Sequence, residues 1–142
     1  MARALVLKEL YFETKNEAGL LGRVTAALAV EGVYIIHLSA YSIEHKAYFK
    51  IITKDNHKSK KALAHFIPSV QDRDVLIVEF ENKVGTLAPV AKLLGNHGIG
   101  IHYVYGTSGD GFKIVGIFST TNNDAAANII NEESGAIFPP SI

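Results

Sequence analysis

The chain has 142 residues, of which 48% are hydrophobic and 20% charged, enough apolar material for a packed core and too much for wholesale disorder. Lys+Arg and Asp+Glu both number 14, so the basic excess that binding to a phosphate backbone usually requires is missing, and nucleic acid is not an expected partner. Cysteine is absent, which excludes disulfides, thiolate nucleophiles and thiolate metal sites.

The N-terminal stretch carries Lys8 and Glu9 among its apolar residues, unlike a signal peptide. No apolar run approaches the ~18 residues of a membrane span. The expectation is a soluble cytoplasmic protein with no membrane partner. Leu10 to Lys15 opens the pattern as a strand with Leu10 and Phe12 inward. Asn16-Glu-Ala-Gly19-Leu-Leu21 then turns the chain into a helix whose apolar stripe is Leu21, Val24 and Leu28, ended by Gly32. Two strands follow, about Tyr34–Ser42 and Ala47–Thr53. Asp55 or Asn56 caps a second helix over Lys58–Phe66, and Phe66–Val70 with its Pro68 reads as a short edge strand.

The same order then recurs. Val75–Glu81 places Leu76, Val78 and Phe80 on one face. Asn82-Lys-Val-Gly85-Thr-Leu87 leads into a helix carrying Leu87, Val90 and Leu94, with Pro89 in its first turn and Gly98 at its end. Gly100–Gly106 and Phe112–Ser119 form a hairpin across Thr107-Ser-Gly-Asp-Gly111. Asn122 or Asn123 caps Asp124–Glu133, and Ala136–Ile142, with two prolines, is a second candidate edge strand. At an offset of 66 residues, eight of the 23 positions from 13 to 35 are identical between the copies. The match then moves to an offset of 63 at Phe49-Lys50-Ile51 and Phe112-Lys113-Ile114, as a shorter second turn would produce.

The unit is β-α-β-β-α-β, twice: an α+β chain of two tandem ferredoxin-like domains, residues 1–71 and 72–142. On the second strands Ile35 and Tyr41 point one way and Ile36 and Leu38 the other, and Ile101, Tyr103 and Tyr105 oppose Val104. A sheet with helices on one side should have a polar second face, so apolar residues on both faces predict that the second is covered too, by the other repeat or by another subunit. Residues 1–71 hold ten Lys/Arg against six Asp/Glu, and residues 72–142 hold four against eight; such opposite halves can orient two copies or two chains.

The two strand–Asn-x-x-Gly-x-Leu–helix turns resemble those of ACT domains, small regulatory modules that bind amino acids, and the resemblance covers nearly the whole chain as a stand-alone tandem pair. It implies a non-enzymatic regulatory protein without cofactors, an amino acid as the small-molecule ligand, and a homodimer with a possible partner enzyme of amino-acid metabolism. It implies a ligand site between the turn of one domain and the second strand of another. Carried over, the binding residues are Asn16, Ala18, Gly19, Leu20 and Leu21, and Asn82, Val84, Gly85, Thr86 and Leu87. The family often has proline where Ala18 and Val84 stand, and a polar residue where Tyr34 and Gly100 stand.

The turn has its own chemistry. Glycine allows close approach to the backbone, the helix N-terminus presents free N–H groups to a carboxylate, and an Asn amide both donates and accepts. His37 and His102, on the second strands, are secondary candidates for ligand contact, but the six histidines have no metal-ligand spacing. Gly95-Asn-His-Gly98-Ile-Gly100 ends a helix where a dinucleotide fingerprint would begin one. No catalytic constellation is recognisable. The alternative function is a regulatory or assembly subunit that works without a ligand.

Overall fold

The computed structural model describes residues 2–108 and 111–134. Its elements are β1 (Arg3–Lys15), α1 (Leu20–Val30), β2 (Ile35–Ile43), β3 (Lys46–Thr53), α2 (Asn56–Leu63), β4 (Gln71–Glu81), α3 (Leu87–Asn96), β5 (Ile101–Ser108), β6 (Lys113–Thr120) and α4 (Asn123–Ser134). All the strand pairings described are antiparallel. The strand–helix–strand–strand–helix order occurs twice, as the periodicity predicts.

Two compact units result: an N-terminal unit, Lys8–Arg73, and a C-terminal unit made of Met1–Leu7 with Asp74–Ile142. Each is built on the same plan. In the N-terminal unit the strand order is β2-β3-β1-β4, with β4 contributing Gln71–Arg73. In the C-terminal unit it is β5-β6-β4-β1, with β1 contributing Arg3–Leu7. The fourth strand of the N-terminal unit is therefore not Phe66–Val70. The N–H groups of Phe66 and Ile67 both donate to Leu63 O, at 3.1 and 2.8 Å, continuing the turn that ends α2, and Pro68 has no N–H to give a ladder. Ile67 is buried in the core instead, with Phe66 and Val70 packed against it. The expected strand over Ala136–Ile142 lies outside the described residues, as do Gly109 and Asp110 of the second hairpin turn.

Each unit buries one helix stripe against one sheet face. Leu20, Val24 and Leu28 of α1 and Leu63 of α2 meet Leu10, Phe12, Phe49 and Ile51 in the N-terminal core. Val90, Leu94, Ala126 and Ile130 meet Leu76, Val78, Phe80 and Phe118 in the C-terminal core. Both first helices end alike. Gly32 and Gly98 take φ of 70° and 71°, and Val33 and Ile99 return hydrogen bonds to Leu28 O and Leu94 O at 2.9 and 3.0 Å.

Strand register corrects two expectations. Phe12 pairs with Phe49, while its counterpart Val78 pairs with Gly116, so the third strands correspond at an offset of 67 and Phe49 matches Gly116, not Phe112. The second hairpin is the longer one, since β5 ends at Ser108 and β6 begins at Lys113, whereas β2 ends at Ile43 and β3 begins at Lys46. Second, both second strands shift register at their start, between Ile35 and His37 and between Ile101 and Tyr103. The extra residue turns Ile35 onto the same face as Leu38, and Ile101 onto the face of Val104. On the faces turned away from the helices, Tyr11 and Ile52 of the N-terminal unit and Val75, Ile77 and Ile117 of the C-terminal unit are buried.

Candidate functional site

Each strand-to-helix turn opens onto a cavity within its own unit. In the N-terminal unit Gly19 stands at φ 86°, the left-handed region that glycine enters without a Cβ penalty, and α1 starts at the next residue. The turn is held from behind: Asn16 N donates to His45 O at 2.7 Å, and Arg23 N donates to Gly19 O at 3.0 Å. Between this turn and β2 lies a space of about 320 Å³ bounded by Asn16, Glu17, Gly19–Gly22, Ala40–Ser42, Ala47 and Phe49. Glu17 is paired with Arg23 at 3.3 Å.

The C-terminal turn repeats the geometry with other side chains. Gly85 has φ 84°. Thr86 precedes α3, and its hydroxyl donates to Glu81 O at 2.8 Å and lies 3.1 Å from Lys83 O, which closes the turn that leucine leaves open in the first copy. The cavity here is about 400 Å³, lined by Phe80, Lys83, Gly85–Ala88, Val104–Gly106, Ile114 and Gly116. Lys83 pairs with Glu81 at 2.8 Å; its ammonium holds the Glu81 carboxyl down at about 2, and Glu81 in turn raises the Lys83 pKa.

Of the residues read from the turns, Asn16, Gly19, Leu20, Leu21, Gly85, Thr86 and Leu87 line these two cavities. Ala18 and Val84 are not among the lining residues, and Val84 is fully exposed at the tip of its turn. Asn82 lines neither cavity: its amide nitrogen donates to Gly111 O at 3.0 Å, tying the turn to the second hairpin. The histidines lie elsewhere on their strands. His37 sits opposite Ile52 on the face away from the helices, with Nε2 buried and without a partner, and His102 is exposed at the register shift of β5.

The second-strand walls are Ala40–Ser42 and Val104–Gly106 instead. Being small or ordinary strand residues, they carry no chemical signal of their own in the sequence. Their signal was positional, since each shares the last part of the second strand with the residues that pair across to β3 or β6. Among the described residues no group of three or more His, Asp or Glu is placed to hold a metal ion. Among the described residues no helix is long and apolar enough to cross a membrane.

With two βαββαβ-type units and two glycine turns, the class is that of a tandem pair of ferredoxin-like domains. The sequence matches the ACT domain pair family over residues 5–137, and the chain belongs to that family. The fold is similar to that of a Bacteroides thetaiotaomicron protein, with 28% identity, a TM-score of 0.84, and 92% of this chain and 90% of that one covered. It is also similar to the regulatory subunit of aspartate kinase from Thermus thermophilus in its ligand-free form, at 16% identity, TM-score 0.65 and coverage of 89% and 95%. A structure of aspartokinase alpha and beta subunits gives 14% identity, TM-score 0.63 and coverage of 94% and 97%. Among curated protein sequences none matches the chain.

Proposed function

We propose that the chain is a non-enzymatic regulatory protein that binds an amino acid at its two glycine turns. The observation that carries this reading is the duplication of one geometry. Each repeat sets a left-handed glycine, the first N–H groups of a helix and the edge of the second strand around a cavity of a few hundred Å³. Free N–H groups and the positive end of the helix dipole suit a carboxylate, and the strand edge offers carbonyls to an ammonium. An apolar floor with few polar groups is what a small-molecule site requires.

Binding works by population shift. A ligand that prefers one arrangement of domains or subunits raises the share of that arrangement, and a partner protein, an enzyme of amino-acid metabolism, reads it. The working form is a cytoplasmic homodimer. Isothermal titration of the whole chain against the twenty amino acids tests the reading, with saturable binding of at least one expected. No heat from any of them sinks it. The ligand-independent reading, a constitutive regulatory subunit, draws on Asn82, whose amide is spent on Gly111. Co-purification of an enzyme from the native host that amino acids do not alter would favour that second reading.

A further inference from the structure

The two turn cavities are the same by geometry and different by content, and the difference lies in one cross-strand pair. In the N-terminal unit, Ala40 of β2 faces Phe49 of β3, and the Phe49 ring stacks on Phe12 at 4.8 Å with an interplanar angle of 8°. At the matching place in the C-terminal unit, Gly106 of β5 faces Gly116 of β6, so this pair puts no side chain on the wall. Gly116 is closed to substitution by the core beneath it: an added Cβ would lie 2.8 Å from Phe118 Cε1 and 3.4 Å from Phe80 Cε1. Gly106 is the less crowded of the two: an added Cβ would meet only Val115 O, at 3.3 Å.

The surroundings diverge in the same sense. Phe80, Leu87, Val104 and Ile114 line the C-terminal cavity, and Leu87 and Val104 are 46% and 47% exposed, apolar surface left to water. The N-terminal cavity is smaller, at about 320 against 400 Å³, and has Asn16, Glu17 and Ser42 on its wall. Lys83 stands beside the C-terminal cavity where Glu17 stands beside the other.

We infer that the C-terminal cavity selects amino acids with a bulky apolar side chain, of the leucine or phenylalanine class, over the Gly106–Gly116 pair, and that the N-terminal cavity takes a small or polar amino acid. The inference rests on the amino-acid reading of both sites. The carboxylate lies toward Thr86 and Lys83 at the start of α3, and the apolar side chain covers the bare strand pair and contacts Leu87 and Val104.

The test is isothermal titration of the whole chain with glycine, serine, leucine and phenylalanine, in the native sequence and in Gly106→Ala. Alanine is the residue the N-terminal unit already carries at this position, Ala40. One methyl group in an apolar pocket changes affinity by roughly tenfold or more. Gly106→Ala is expected to weaken leucine and phenylalanine by about that factor and to leave glycine and serine within about twofold. If Gly106→Ala does not fold, Leu87→Ser supplies the same loss from a half-exposed position. Leucine affinity unchanged in a folded variant, or all four ligands weakened alike, overturns the selectivity and leaves the binding sites standing. No binding by any amino acid to the native chain overturns both.

Discussion

Gly19 and Gly85 matter for their backbone, not for their space. Nothing lies within 4 Å of a Cβ added at either, but φ of 86° and 84° is strained for any L side chain. Gly19→Ala or Gly85→Ala is expected to cost about 1–2 kcal/mol of stability, read from urea midpoints, and to weaken binding only at its own turn. His37 makes a different prediction. Burial lowers its pKa from 6.5, and its Nε2 has no partner, so the folded state binds protons less readily than the unfolded one. Stability contributed by neutral His37 is fully present above pH 6.5 and is lost as pH falls from there through the lower folded-state pKa. The urea midpoint should decline between pH 7.5 and 5.5, and His37→Leu should flatten that decline. An unchanged slope in His37→Leu would refute the assignment.

The elements share a latch that no motif announced. Thr53 Oγ1 donates to Asn56 Oδ1 at 2.7 Å, and Asn56 Nδ2 donates to Lys8 O at 3.1 Å. In the second copy Thr120 Oγ1 donates to Asn123 Oδ1 at 2.6 Å, and Asn123 Nδ2 donates to Asp74 O at 2.9 Å. Each Asn joins the start of a helix to the unit's first strand, and Asn123→Ala strips a partner from a buried hydroxyl and from a backbone carbonyl. A loss of about 1–3 kcal/mol is expected in thermal or urea unfolding, with Asn56→Ala giving the like effect in the other unit. Such pairs were visible only as polar letters. The first strands and helices were legible because Leu76, Val78 and Phe80, or Val24 and Leu28, repeat at the period of their element, although Leu20, not Leu21, completes the buried stripe of α1, and Leu87 of α3 stays half-exposed. Register was not legible. One added residue at Ile35/His37 flips a side chain without altering composition, and the matching letters of Phe49-Lys50-Ile51 and Phe112-Lys113-Ile114 outweighed the pairing that sets Phe49 against Gly116. The turn halves of both cavities could be read from their glycines. The strand halves could not, because Ala40 and Gly106 carry no chemistry until a partner strand places them.

At the scale of the whole molecule, the first strand does not belong to one repeat. Arg3–Leu7 sits in the C-terminal unit. Arg3 pairs with Glu79 at 2.8 Å, Ala4 is buried in the C-terminal core, and the Asn131 amide both donates to Ala4 O and accepts from Ala4 N, at 2.9 and 2.8 Å. Deleting residues 2–7 leaves Glu79 and Asn131 without these partners, at a cost on the order of 3 kcal/mol. Hydrogen exchange should then rise in β4, β6 and α4 while α1 and β3 keep their protection. Faster exchange centred on α1 would contradict the assignment of the segment.

That arrangement also fixes the order in which the molecule can be completed as it is made. Ala4 and Asn131 are 127 residues apart, and at a synthesis rate of about 5–20 residues per second the segment leaves the ribosome on the order of ten seconds before its partner exists. Lys8–Arg73 can close soon after its own last strand is made. The piece ahead of it, a strand edge carrying Ala4 and Val6, must wait for these contacts until Asn131 of α4 has been made.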